Sequence, residues 1–308
     1  MKNVKLNKDT AFKWLTAFLA FILLLLGIGI LLKLIISSRL SFDAFGLKFL
    51  FSREWDPVQR LFGALPFVWG TFVSATLALI IALPISIGIA VFLSELAPIW
   101  MRKPVSFIIE LLAAIPSVIY GLWGLFVLAP VMQQWVEPLL GKYLGFLPFF
   151  KGYPLGVGML TGGVIIAIMI IPTISSISRE VLSAVPAHQK EAALSIGMTR
   201  WEAIWKVMLP YGRSGIVGAI ILGYGRALGE TMAVTMVIGN TPNISLSLFD
   251  PAYTIASVIA NEFTEATYEL YISSLIEIGL ILFVITFILN AVARFLLWRM
   301  KRFEEVRG

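Results

Sequence analysis

Runs of about twenty apolar residues recur six times along this chain, and each is long enough to cross a hydrocarbon core of ~30 Å. Lipid offers the backbone no hydrogen-bond partners, so a run of this kind folds as a helix that satisfies its own N–H and C=O groups. The pattern predicts an all-α membrane protein with six transmembrane helices. At ~20 residues a span, about 120 to 150 residues are used, which leaves short loops and no separate soluble domain. Only 14% of the residues are charged and the mean hydropathy is +0.91, whereas a soluble domain carries roughly 25% charged residues.

The spans are expected near residues 14–36, 67–92, 105–128, 155–177 and 215–238, with the sixth ending near Trp298. Polar segments cover 37–63, 178–213 and 239–271. This divides the chain into an N-terminal part (1–63), a permease core of five spans (64–300) that includes the 178–213 loop, and a basic tail (301–308). The first apolar run is long and has no clear small-residue cleavage site, so it is expected to be an uncleaved anchor in the bilayer.

The basic residues set the orientation. With both termini inside, four lie in the N-terminal tail (Lys2, Lys5, Lys8, Lys13) and two in the second-to-third loop (Arg102, Lys103). Five lie in the fourth-to-fifth loop (Arg179, Lys190, Arg200, Lys206, Arg213) and five at the C-terminal end (Arg294, Arg299, Lys301, Arg302, Arg307). The opposite loops hold six: Arg39, Lys48, Arg53, Arg60, Lys142 and Lys151. Sixteen against six follows the positive-inside rule, so both termini are expected to be cytoplasmic. The same placement argues against nucleic acid as the reason for the net charge of +6, because the cations flank spans. With no cysteine, thiol chemistry and disulfides are excluded. The single histidine, His188, cannot build a metal site alone, and no cofactor is implied.

The 178–213 loop is the most informative segment. Pro186 suits a helix start, and Glu191, Ala192, Ala193 and Leu194 are good helix formers. Gly197 suits a left-handed stop. Thr199 and Glu202 have capping-box spacing, so a second helix begins there. On it Trp201, Ile204, Trp205 and Met208 recur at helical spacing, which predicts an apolar face. A plain linker needs only a few residues, whereas this loop has over thirty. Exposed Trp and Met on it point to a partner surface.

Arg226 and Glu230 lie within the expected fifth span. A charge near the bilayer centre costs ~2.5–3.5 kcal/mol on insertion scales, so neither is expected to face lipid alone. At i, i+4 spacing they share a helix face and can pair. Either they form a buried structural pair, or Arg226 helps an oxyanion pass and Glu230 sets its orientation and charge; intramembrane ionisable groups favour the second. Gly223, Gly225 and Gly229 nearby permit close helix approach or local unwinding. Glu110 and Glu277 are secondary candidates for the path, each nearer a span end. Lys33 snorkels, and Pro84, Pro116 and Pro172 are expected to produce kinks or re-entrant bends in their spans.

The run Glu191-Ala192-Ala193, three residues, Gly197, nine residues, Val207, one residue, Leu209-Pro210 resembles the EAA loop of ABC importer permeases, with Val207 where the family has Ile. The resemblance implies a type I (MetI-like) permease core and a coupling helix that docks on a separate ATPase. Glu191, Ala192, Ala193, Gly197, Leu209 and Pro210 would then serve coupling. WDPVQRLFGALPFVWGTF (55–72), AAIPSVIYGLWGLFVL (113–128) and GRALGETMAVTMVIGN (225–240) narrow it further. They resemble PstC-type permease subunits of bacterial phosphate importers, multi-pass proteins of the cytoplasmic (inner) membrane. That implies a PstA-type second permease, two PstB-type ATPase copies and a PstS-type phosphate-binding protein. The chain has no G-x-x-x-x-G-K-[ST] phosphate cradle: Gly141-Lys142 is followed by Tyr143. It is therefore expected to be a non-catalytic subunit. Rival readings are a permease for another oxyanion or small solute, an ion-coupled transporter using Glu110, Glu230 and Glu277, and a membrane enzyme, for which no nucleophile–base set is present.

Overall fold

The computed structural model describes residues 8–305, with side chains described from Thr10 to Arg299. Lys2 and Lys5 of the basic N-terminal tail lie outside the described residues, as does Arg307 at the other end. Twelve helices are used below: α1 Lys8–Ser37, α2 Arg39–Phe45, α3 Lys48–Phe51, α4 Leu65–Leu96, α5 Ile99–Ala114 and α6 Ser117–Leu144. They continue as α7 Met159–Ser183, α8 Ala187–Ser195, α9 Arg200–Leu228, α10 Met232–Val237, α11 Ile255–Glu262 and α12 Glu269–Glu305. Six of them (α1, α4, α6, α7, α9, α12) are long and apolar enough to span a bilayer. Among the described residues no strand ladder forms; the β-pairs are the isolated bridges Asp56–Leu61 and Gly239–Ala252.

The core is α7, wrapped by α4, α9 and α10. Of its most apolar window 67% is buried inside the chain, against 0% for α1, which touches the rest of the chain only along one side, at α12 and α2. Three glycines explain how closely these helices approach. A Cβ on Gly163 would lie 2.6 Å from Leu77, one on Gly223 would lie 2.5 Å from Ile174, and one on Gly70 would lie 2.2 Å from the Tyr253 carbonyl oxygen. Only the absence of a side chain lets backbones pack at this range. Pro84 and Pro172 sit inside α4 and α7 as expected.

Two spans differ from the expectation. The third, placed at 105–128, is in fact broken at Ile115–Pro116: α5 ends at Ala114, and Ile115 is extended at φ −66°, ψ 128°. A residue before proline is pushed out of the helical region, so Pro116 terminates one helix and caps the next rather than kinking one rod. The membrane-length helix is α6, which starts at Ser117. The fifth span, placed at 215–238, begins at Arg200 and stops at Leu228. Gly229 caps it, and α10 is a separate short helix. The fourth begins at Met159, four residues later than the expected 155.

The 239–254 segment folds back into the bundle instead of crossing open surface. Phe249, Ala252 and Tyr253 are buried. Its carbonyls satisfy the start of α7: Met159 N–H donates to Asp250 O (3.1 Å) and Leu160 N–H to Leu248 O (2.7 Å). Irregular backbone at this depth survives because protein covers it and its polar groups are paired.

Candidate translocation and coupling sites

Arg226 occupies the last turn of α9, and its Nη1 donates to Thr173 Oγ1 on α7 at 3.1 Å, one residue past Pro172. The guanidinium is exposed on the surface of the chain. Glu230 lies beyond the Gly229 cap, half-buried, and its Oε1 accepts the N–H of Ala233 at 3.4 Å. Among the described residues no ion pair joins Arg226 to Glu230. The i, i+4 geometry holds only along an unbroken helix, and this one ends between the two. Each charge sits instead at the helix end that favours it, the cation at the C-terminus of α9 and the carboxylate at the start of α10. Of the three nearby glycines, Gly223 serves close approach and Gly229 the unwinding, while Gly225 has nothing within 4 Å of a built Cβ.

The break between α9 and α10 lies against a second break. Gly121 of α6 packs on α10, where a Cβ would sit 2.6 Å from Met236 Sδ and 3.1 Å from Ala233 Cα. Tyr120 spans the α5–α6 gap by donating its hydroxyl to Leu112 O at 2.8 Å, and Arg226 lies within electrostatic range of that hydroxyl. Thus Arg226, Thr173 and Tyr120 converge where two helices are interrupted, an arrangement that presents a cation beside unwound backbone. Sequence reasoning named Arg226 and missed Thr173 and Tyr120; the Ile115-Pro116 dipeptide was the available signal.

The other candidates lie elsewhere. Glu110, on α5, is exposed and sits 3.8 Å from Arg179 on α7. Glu277 is buried on α12 among Ser41, Ser273 and Ser274; the Ser41 side chain is its hydrogen-bond partner, and its Oε2 has none. Neither contacts Arg226, and Glu277 joins α2 to α12. Glu137 was not singled out from sequence, yet it is buried on α6, where its Oε2 accepts the Gly156 N–H at 2.9 Å. It clamps the turn at which Gly156 has φ +73°.

The loop between α7 and α9 is the helix, bend and helix that the residues foretold. Gly197 has φ +87°. Its N–H donates to Leu194 O (3.0 Å) and that of Met198 to Ala193 O (3.2 Å), the paired bonds of a Schellman motif. Thr199 and Glu202 form the full capping box. Pro186 caps α8 instead of opening its first turn. The second helix is not a loop element but the start of α9. Pro210 lies inside α9, just past a π-turn at 204–208. The wider turn accommodates the missing N–H and the ring. The expected single apolar face is split: Ile204 and Met208 pack under Ala90, Val91 and Leu182, while Trp201 and Trp205 face outward, edge to face at 5.7 Å. With Leu194 and Ile196 they expose an apolar knob. Glu191 and Ala192 are exposed and Ala193 is buried, with α8 packed on the first turns of α9. A salt bridge from Lys190 to Glu95 fastens α8 to the end of α4.

Residues 82–302 match the model of the binding-protein-dependent transport system inner membrane component family. The chain belongs to that family. It is 50% identical over 300 residues to the phosphate transport system permease protein PstC of Pasteurella multocida, covering 96% of this chain and 93% of the relative. A probable PstC of Methanocaldococcus jannaschii is 36% identical, over 97% of this chain and 96% of its own. Two solved transporters share the fold. A bacterial ABC transporter importing the acidic polysaccharide alginate aligns with TM-score 0.61 at 19% identity, over 93% of this chain and 97% of that one. The MetNI methionine ABC transporter aligns with TM-score 0.53 at 17% identity, over 80% and 99%. The chain is therefore a multi-pass inner-membrane component with a MetI-like permease core.

Proposed function

We propose that this chain is the PstC-type permease subunit of an ATP-driven importer of inorganic phosphate. It forms half of the translocation path, with both termini in the cytoplasm and residues 64–300 as its working core. The observation that carries the reading is the Schellman-bent knob of α8 and the first turns of α9. It exposes Leu194, Ile196, Trp201 and Trp205, yet it is bolted through Lys190–Glu95 to α4 and through Ile204 and Met208 to the bundle. A surface of this kind is built to be pushed by a docked partner. Because the sequence has no phosphate cradle for nucleotide, that partner is a separate ATPase dimer of PstB type. A PstA-type permease completes the path, and a PstS-type binding protein delivers phosphate from outside.

Phosphate as the cargo is supported by the PstC relatives at up to 50% identity and by the cation at the helix break. Phosphate reaches Arg226 after selection by the binding protein, so one deep cation suffices. Glu230, held at the start of α10, keeps the local field from binding the anion too tightly. The test is uptake of labelled phosphate into vesicles holding the four components. Accumulation that needs ATP, the binding protein and this chain, and that excess sulfate does not compete away, supports the reading. ATP-driven uptake of another oxyanion in preference to phosphate would give the cargo to the rival permease reading.

A further inference from the structure

Beyond the path at Arg226, the chain carries a second concentration of cations in a cleft of about 360 Å³ between α5 and the end of α7. It is lined by Arg102, Lys103, Ser106, Phe107, Glu110 and Arg179. Arg102, Ser106 and Glu110 recur every four residues, so α5 presents them as one stripe. Ser106 is the hinge of the arrangement: its hydroxyl donates to Arg102 O at 2.6 Å and accepts from Arg179 Nη1. Arg102 is steadied by its own Nε bond to Ala97 O at 2.9 Å. Arg179 reaches Glu110 at 3.8 Å, and only a quarter of its side chain is exposed. Three cations against one carboxylate leave two positive charges in excess.

We propose that this cleft binds a phosphoryl group. Two guanidinium forks and an ammonium present planar and point donors to its oxygens, and the excess of positive charge favours an anionic phosphate. The chemistry admits free inorganic phosphate or the phosphate of a lipid headgroup, since basic clefts between membrane helices hold such headgroups as well. Glu110, the residue singled out from sequence as a path candidate, serves here to orient Arg179. Binding follows from the cleft alone; only its placement on the cytoplasmic face rests on the import reading above.

The test uses the full chain in nanodiscs. In discs of phosphatidylcholine alone, equilibrium binding of radiolabelled orthophosphate is measured for the unsubstituted chain, for Arg102→Gln/Lys103→Gln and for Arg226→Gln. Saturable binding that weakens at least about tenfold in the double variant, and is retained in Arg226→Gln, supports the proposal with free phosphate as ligand. A swapped variant, Arg102→Lys/Lys103→Arg, keeps the charge and is expected to retain binding, while helicity by circular dichroism confirms that each variant is folded. In discs containing phosphatidylglycerol, native mass spectra report retained lipid. Lipid held by the unsubstituted chain and lost from the double variant, with no orthophosphate bound in the first arm, supports the proposal with the headgroup as ligand. The proposal is overturned if neither ligand binds, or if the double variant binds both as well as the unsubstituted chain. Failure of phosphate uptake with cleft binding intact would count against the import reading alone.

Discussion

At the residue scale, two positions carry distinct physical demands. Arg226 is an exposed cation at the end of α9, steadied by Thr173 and by the C-terminal dipole of α9. Replacing it with Gln keeps a hydrogen-bond donor and removes the charge. Arg226→Gln is therefore expected to drop phosphate uptake to background while the complex still assembles on size-exclusion chromatography; uptake near the unsubstituted level would refute a role in the path. Gly197 is constrained differently, because nothing lies within 4 Å of a built Cβ, so its requirement is φ +87° and not space. A β-branched residue there costs of order 1–3 kcal/mol of backbone strain. Gly197→Val is expected to cut co-purification of the ATPase several-fold, whereas Gly197→Asn, which tolerates the left-handed region, retains most of it. Both residues were legible in the sequence, one as a charge where charges are costly and the other as a glycine after a helical run. The expected Arg226–Glu230 pair was not, because a sequence spacing of four says nothing of whether the helix continues, and Gly229 ends it.

At the scale of elements, the knob works only if its motion reaches the spans. Ile204 and Met208 give it an apolar seat, but the directional link is Lys190 to Glu95, whose carboxylate side chain is only 11% exposed. The bridge contributes about 1 kcal/mol, as expected for a partly exposed pair, too little to decide folding yet enough to set how α8 leans on α4. Glu95→Gln is expected to leave assembly intact and to raise ATP hydrolysed per phosphate imported by about threefold. The swapped pair Glu95→Lys/Lys190→Glu should bring that ratio back toward the original value; unchanged coupling in Glu95→Gln would show that the bridge transmits nothing. Sequence periodicity found the knob because capping box, glycine stop and helix formers are local signals. It named Pro116 and Gly229 as positions for a bend or unwinding but ran the third and fifth spans across them, because hydropathy is blind to where a backbone actually unwinds. Glu95, Tyr120 and Glu137 stayed hidden for a related reason: their partners Lys190, Leu112 and Gly156 are 95, 8 and 19 residues away.

At the scale of the whole molecule, every functional statement depends on which side of the bilayer the knob occupies. The sixteen-to-six division of Lys and Arg is the ground for expecting α8 with the termini on the cytoplasmic side, and the chain's lack of cysteine makes this directly measurable. Ser195 at the end of α8 and Thr264 in the turn after α11 are both exposed and separated in sequence by one membrane-length helix, α9. One is expected inside and the other outside. Ser195→Cys should react with a membrane-impermeant maleimide in inverted vesicles and stay protected in intact spheroplasts, and Thr264→Cys should do the reverse. Neither substitution touches a buried contact, so uptake should remain close to normal in both and serve as the control for folding. Labelling of Ser195→Cys from outside would detach the knob from cytosolic nucleotide. The apolar surface at Trp201 and Trp205 would then face the compartment of the binding protein, and ATP-driven coupling through α8 could not operate.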